Sequence, residues 1–335
     1  MTKEDLSAPF EIIPKASVNP DCITIYNEIL WTRRKTKHER LKNFGDTDKK
    51  HHGKVSSHAR RKIGKAIEYT LFMANDKVLP DTAHGRSYKF RIAFITLTLP
   101  SHQIHTDNEI KDQCLNQLLV ELRKRYQVHN YVWRAEKQKN GNIHFHLLVD
   151  RFIPWSELRD RWNRIVNKLG YVDRYRDEMR RFHSEGFQVR EKLLEQWSYK
   201  SQVRAYKAGK ANDWASPNST DIHAVHKVRD IKRYVSKYAT KDEENGEVTG
   251  RMWGCSESLS QIKGGQIEID SQVFDELNKI VDEGKARVYQ GDHFSVIYIN
   301  IQSVQHIGCR TLFQHFASYM LHTFNYSIQS TLNTS

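Results

Sequence analysis

Apolar positions recur with two distinct periods along the middle of the chain, and the changes of period mark out a series of elements. Residues 88–99 (YKFRIAFITLTL) are rich in β-branched and aromatic side chains and stop at Pro100, which predicts a strand. Across 107–127, Ile110, Cys114, Leu115, Leu118, Leu119 and Leu122 return at helical spacing and give a helix with one apolar face. Residues 129–138 and 142–150 read as two strands around Lys139-Asn140-Gly141-Asn142, and Asn-Gly is the strongest short-range hairpin signal. Pro154-Trp155-Ser156 opens a second helix that runs to Leu169 and stops at Gly170. A strand over 219–228 and a helix over 230–242 follow, and a helix over 57–74 leads into the series. The order strand, helix, strand, strand, helix, strand predicts an α+β fold. It would be a ferredoxin-like (RRM-like) antiparallel sheet with helices packed on it, flanked by N- and C-terminal extensions. Residues 173–217, charged and dotted with aromatics, show no clear period.

Composition narrows the class. The chain has 335 residues, 38% hydrophobic and 28% charged, enough for one large domain or two modest ones. No stretch approaches the roughly 18 consecutive apolar residues of a membrane span. The opening MTKEDLSAPF lacks the apolar core of a signal peptide, so a protein that stays in the cytoplasm is expected. Cys22, Cys114, Cys255 and Cys309 stand far apart without a CxxC pair, which argues against a disulfide framework and a cysteine-rich zinc site.

The net charge of +13 points to an anionic partner, nucleic acid first. Between Trp31 and Lys65 thirteen Lys and Arg face only Glu39, Asp46 and Asp48. Arg33, Arg34, Lys35, Lys37, Arg60, Arg61 and Lys62 are the candidate phosphate contacts of this run, and binding through them would fall steeply with salt. A solvated basic surface accounts for the run equally well. At the other extreme, Arg310 is the only charged residue in 293–335. That shift marks a candidate boundary near Gly291 and a buried strand-and-helix pair beyond it. The expected division is 1–75 (basic extension and lead-in helix), 76–260 (the α+β domain) and 261–335 (an accessory region).

Two motifs carry candidate chemistry. His144-Phe145-His146 lies in a strand, so both imidazoles project from one face while Phe145 and Leu147 project from the other. Neutral imidazoles side by side are ready metal ligands, and a divalent ion wants a further carboxylate or amide ligand. A hairpin with a two-residue turn at Asn140-Gly141 supplies none. A three-residue loop over Asn140 to Asn142 pairs Glu136 with His146 and Gln138 with His144, bringing both onto the histidine face. Tyr234-Val235-Ser236-Lys237-Tyr238 places two phenols on one face of a helix, with Lys237 and Lys241 three residues beyond each to favour phenolate. Each motif also has an ordinary structural explanation, packed aromatics or an exposed strand carboxylate.

Taken in order, FITLTL, IHFHLLVD and YVSKYATK resemble the three motifs of the HUH endonucleases, the initiators of rolling-circle replication. The paired tyrosines are similar to the two-tyrosine class of single-stranded DNA phages and related plasmids. The likeness covers about 88–241, with a looser match at RMWGCSESL.

The resemblance implies an HUH nuclease domain that nicks single-stranded origin DNA. His144 and His146, with Glu136 and Gln138, would hold Mg²⁺ or Mn²⁺. One tyrosine would attack, leaving a 5′-phosphotyrosine and a 3′-hydroxyl primer for the host polymerase, with Tyr238 expected first. The other tyrosine would resolve the regenerated origin, and Lys237 and Lys241 would stabilise phenolate or phosphate. No GxxxxGK[ST] loop occurs, so a host helicase in the bacterial cytoplasm is implied. Three alternatives remain: an HUH-type transposase, a non-catalytic single-stranded nucleic-acid-binding protein, and a zinc hydrolase built on the two histidines.

Overall fold

A computed structural model describes residues 10–31, 55–81, 85–225 and 246–328. In chain order the elements begin with β1 (Phe10–Val18), β2 (Cys22–Trp31), α1 (Ser57–Met73), β3 (Lys77–Asp81), β4 (Arg86–Phe90) and β5 (Ile92–Leu97). Helix α2 spans 107–126, followed by β6 (Tyr131–Lys137), β7 (Ile143–Val149), α3 (Trp155–Asn167), α4 (Tyr171–Phe182) and α5 (Tyr199–Ala211). The remainder is β8 (Thr220–Val225), β9 (Trp253–Cys255), α6 (Glu257–Ser260), β10 (Gly265–Glu268), α7 (Ser271–Asp282), β11 (Arg287–Gln290), β12 (Phe294–Tyr298), α8 (Ile301–Ile307) and α9 (Arg310–Phe324). Two compact units result, 51–260 and the pair of segments 1–50 and 261–335.

In the central unit the sheet order is β8-β5-β7-β6-β9, antiparallel throughout. The first four strands have the ferredoxin-like order, and β9 adds a fifth outside β6. Alternation sends Phe145 and Leu147 to the helical side. There Phe145 meets Trp162 of α3 edge-on (ring centroids 6.3 Å apart) and Trp133 of β6 (6.4 Å). Trp162 is fully buried, and its indole N–H donates to the Thr98 carbonyl (2.7 Å), so the largest core ring is also hydrogen-bonded.

The expected strand over 88–99 divides at Arg91. Its guanidinium donates to the carbonyls of Leu71 (2.9 Å) and Ala74 (3.2 Å) at the end of α1, so the chain bends there and β4 pairs with β3 instead. Helix α2 starts at a capping box made by Thr106 and Glu109 and ends at Gln127 in the left-handed conformation (φ 55°). It contains one π turn, Lys111–Leu115, where the buried Lys111 amine donates to the carbonyls of Thr249 and Arg251. Residues 173–217, which show no period in the sequence, carry most of α4, all of α5 and a single 3₁₀ turn.

In the terminal unit the order is β10-β1-β2-β12-β11, so the first hairpin pairs on both sides with strands from the end of the chain. Helices α7, α8 and α9 bury Val273, Ile280, Val304, Leu312, Phe316 and Met320. Glu276 accepts from the free N–H groups of Thr311 and Leu312 (2.9 Å each) and so caps α9 with a negative charge. Gly291 lies in the β11–β12 turn, its N–H donating to Phe294 O (2.8 Å). The composition shift there falls inside a hairpin rather than between domains, and the strand and helices expected beyond it are present. Among the described residues no helix is long and apolar enough to cross a membrane.

Candidate metal centre

The β6–β7 hairpin turns through Lys139-Asn140-Gly141. Gln138 N–H donates to Asn142 O and Gly141 N–H to Gln138 O (2.9 Å each), with Gly141 at φ 82°, a conformation that suits glycine. The loop expected over Asn140 to Asn142 is thus displaced by one residue. The reason is tertiary: Asn142 is 1% exposed, its amide donates to Ser101 O (2.9 Å), and its side-chain oxygen accepts from Gln103 N (2.8 Å). Such a residue belongs to the sheet.

Direct partners therefore move by two positions. Glu136 stands opposite His144 and Arg134 opposite His146, in place of the expected Glu136–His146 and Gln138–His144 pairs. Because the displacement is even, Glu136 keeps the histidine face. Gln138 pairs with Asn142 at the hairpin end and stands outside the cluster of ligand atoms formed by Glu136, His144 and His146.

Those three side chains converge, their ligand atoms all within 4.8 Å of one another. The Nε2 atoms of His144 and His146 are 3.0 Å apart, and Glu136 Oε1 lies 2.9 Å from His146 Nε2 and 3.8 Å from His144 Nε2. Their side chains are only 12% (His144), 9% (His146) and 23% (Glu136) exposed. Thr96 Oγ1 of β5 lies 3.2 Å from His146 Nδ1, and the Phe94 ring stacks on His146 (5.2 Å, 26°). A Nδ1–H donated to Thr96 leaves the Nε2 lone pair pointing into the cluster, the tautomer a metal ligand needs. His144 Nδ1, by contrast, is buried with no hydrogen-bond partner among the described residues.

Electrostatics keep the donors in their ligating forms. Burial, with the neighbouring His146, pushes the His144 pKa down from 6.5 to about 4 against the opposing pull of Glu136, so His144 is neutral at pH 7. Burial works against the Glu136 carboxylate, but the hydrogen bond with His146 and the charges of both histidines and Arg134 outweigh it and hold its pKa below the usual value. Two imidazole nitrogens and a carboxylate can hold a divalent metal ion, and this donor set alone does not select which.

Thr96, Phe94 and Arg134 complete the surroundings of the histidines. The alternation in Phe94-Ile95-Thr96 was the available signal, since it puts Phe94 and Thr96 on one face. On the far side of β5, Asp221 stands opposite Thr96 and pairs with His223 (2.6 Å), both exposed. Among the candidate phosphate contacts, Arg60 on α1 donates to Val55 O (3.1 Å), while Arg61 and Lys62 are exposed. Arg33, Arg34, Lys35, Lys37, Tyr234, Lys237, Tyr238 and Lys241 lie outside the described residues.

The fold and the cluster together define a ferredoxin-like domain with a two-histidine, one-carboxylate centre on its middle strands. Residues 92–243, which run from β5 past β8 and include both tyrosine positions, match the family model of the replication-associated protein ORF2. The match supports a replication-associated role. Neither the curated proteins nor the solved structures contain a match to this chain.

Proposed function

We propose that the protein is an HUH-type single-strand DNA endonuclease and strand transferase that opens and closes rounds of rolling-circle replication. The observation that carries this reading is the convergence of Glu136, His144 and His146 on adjacent middle strands, inside the segment that matches a replication-associated family. The ordered FITLTL, IHFHLLVD and YVSKYATK motifs support it.

In this reading the phenolate oxygen of Tyr234 or Tyr238 attacks the scissile phosphorus. The P–O3′ bond breaks, the phosphate stays on tyrosine as a 5′-phosphotyrosine, and the departing 3′-oxygen takes a proton to become the primer hydroxyl. The retained phosphodiester energy lets the second tyrosine, or a 3′-hydroxyl, rejoin the strand without a nucleotide cofactor. Glu136, His144 and His146 are the ligands for Mg²⁺ or Mn²⁺, with Thr96 orienting His146. Such an ion, when bound, draws charge from a non-bridging phosphate oxygen as the transition state forms.

Lys237 and Lys241 favour phenolate and offset phosphate charge. The described ends on either side of the tyrosine segment, Val225 of β8 and Gly246 before β9, belong to opposite edges of the sheet with β7 between them. The connection carrying the tyrosines thus joins the two edges of the sheet that bears the histidines. Origin single strand is the substrate, the basic residues from Arg33 to Lys62 meet its phosphates, and a host polymerase and helicase act on the product.

The test is a denaturing gel of the full chain with labelled single-stranded circular DNA of its own replicon, with Mg²⁺, Mn²⁺ or chelator. A metal-dependent protein–DNA band that survives denaturant, is lost in Tyr234→Phe/Tyr238→Phe, and loses its first cut in Tyr238→Phe is expected. Salt-sensitive binding without such a band on cognate DNA would refute the proposal in favour of a non-catalytic binder. A band from which metal can be withheld without effect would remove the role given to the histidines.

A further inference from the structure

The lobe between α3 and β8 takes no part in the chemistry above, yet it encloses a cavity of about 310 Å³ at the end of β5. Its walls are largely flat rings. His183 lies nearly parallel to Trp214 (centroids 5.8 Å, 11°) and to Phe187 (6.1 Å, 15°), and it leans on Tyr206 (4.8 Å). Tyr175 also lines the cavity, and its hydroxyl has no hydrogen-bond partner among the described residues.

The position of Trp214 is built at a cost. Asp213 and Trp214 are consecutive non-glycine residues with positive φ (55° and 53°), a strained pair. Trp214 N–H donates to Gly209 O (2.7 Å), and Asp213 accepts from Arg180 (2.8 Å), which holds the turn. A Cβ at Gly209 would come within 2.3 Å of Trp214 Nε1, so the indole lies directly over this position of α5. A glycine inside a helix is itself destabilising by roughly 0.5–1 kcal/mol relative to alanine. Strain and glycine serve one end, the placing of a single ring. Gln202, in contrast, is fully used within the lobe, bonded to the backbone of Arg190 and to Trp197 O.

Two further observations give the ligand its class. Helix α5 presents Lys200, Arg204, Lys207 and Lys210 to solvent, and 198–212 contains no Asp or Glu. The β5 end of the cavity begins at Thr98, two residues beyond the Thr96 that meets His146. At about 3.4 Å per strand residue that is a step of ~7 Å from the surroundings of the metal centre. Flat aromatic walls beside a row of cations suit a base and its phosphates, since stacking accepts any base face and the cations follow the backbone.

We propose that this cavity takes a nucleobase of the origin strand close to the cut, stacked against the Trp214 and His183 rings, while the basic face of α5 tracks the flanking phosphates. The identity of the strand rests on the nuclease reading; the stacking does not. The test uses the full chain in chelator, so that no chemistry intervenes, with two fluorescein-labelled strands of about 15 nucleotides. One is oligo(dT) and the other has the same phosphate backbone with abasic sites throughout.

Trp214→Ala should weaken binding of oligo(dT) by ~10-fold and leave the abasic strand unchanged, and Trp214→Phe should recover most of the loss. Gly209→Ala, which displaces the indole without removing it, should reproduce the selective loss. Lys200→Ala with Lys207→Ala should weaken both strands. Parent-like binding of oligo(dT) by Trp214→Ala, or equal losses on both strands in Trp214→Ala and Gly209→Ala, overturns the proposal. If Trp214→Ala lowers the thermal unfolding temperature, Gly209→Ala and Trp214→Phe decide. A base-selective loss in a protein that forms no covalent band would refute the nuclease and leave this site standing; a covalent band without base selectivity would do the reverse.

Discussion

Replacing His144 with glutamine in the metal-free protein should abolish a pH dependence of stability that the parent carries. The imidazole sits 3.0 Å from a second imidazole, and burial, reinforced by His146, lowers its pKa from 6.5 to about 4. The folded protein thus resists a proton that the unfolded chain accepts. At about 1.36 kcal/mol per tenfold change in proton affinity, the gap amounts to about 3 kcal/mol. With the folded pKa below the unfolded one, the contribution is fully present above pH 6.5, shrinks as the pH falls, and is gone below about 4. Glutamine has no proton to gain, so a urea series in chelator from neutral pH down to about 4 should show the parent losing up to about 3 kcal/mol relative to His144→Gln. The His144 ring protons should give an NMR midpoint near the same low value. Parallel stability curves for the two proteins, or a midpoint near 6.5, would refute the reasoning that burial and the adjacent imidazole keep this ligand proton-free.

Other outcomes follow from neighbouring contacts. Thr96→Val keeps the β-branched shape but removes the oxygen 3.2 Å from His146 Nδ1, and should weaken Mn²⁺ binding on the order of 10-fold by calorimetry with little change in unfolding temperature. Asp107→Asn breaks a buried set in which Asp107 accepts from Lys137 (2.6 Å), Gln103 and Thr249 N, and should cost about 3 kcal/mol in denaturant unfolding. Glu121 is opposed by burial, but Arg164, Gln117 and Arg161 together bring its pKa to about 2. Its contribution is therefore present above about 4.5 and lost as the pH falls through about 2, and Glu121→Gln should flatten the acid limb of the unfolding curve in that window.

Strand parity explains what the sequence could and could not disclose about the metal centre. Whether Glu136 shares a face with His144 and His146 depends only on even spacing along paired strands, so it is legible wherever the hairpin turn is recognised to within an even displacement. Which residue stands opposite which depends on Asn142, whose partners Ser101 and Gln103 are some 40 residues away and invisible to a local pattern. The same logic separates the helices. Gly170 and the apolar spacing of Leu158, Trp162, Ile165 and Val166 mark α3 plainly. In α4, Tyr171, Val172, Tyr175 and Met179 keep helical spacing but are diluted by Arg, Asp and Glu.

The first hairpin is hidden in the sequence because Pro14 interrupts β1, and a proline normally demotes a strand. The Asn19-Pro20-Asp21 turn between two runs of isoleucine was the available signal. The break at Arg91 has no local cue at all, since its cause is two carbonyls at the end of α1.

The pairing of β1 and β2 with β10 and β12 has a consequence for the order of events during synthesis. Ser17, at the end of β1, bonds to Lys263, 246 residues away. When the ribosome has just made β2, the strands that will flank the hairpin do not yet exist, and a lone two-stranded hairpin is at best marginal in water. The whole of 51–260 is translated first, with its own sheet and core, and domains generally fold as units as they are made. The terminal sheet must then close around a loop with an entire domain inside it, a slow, high-contact-order step. Until it does, Ile12, Ile29 and Leu30 of the hairpin wait without their neighbouring strands, and a nascent chain is most exposed to misassembly in that interval.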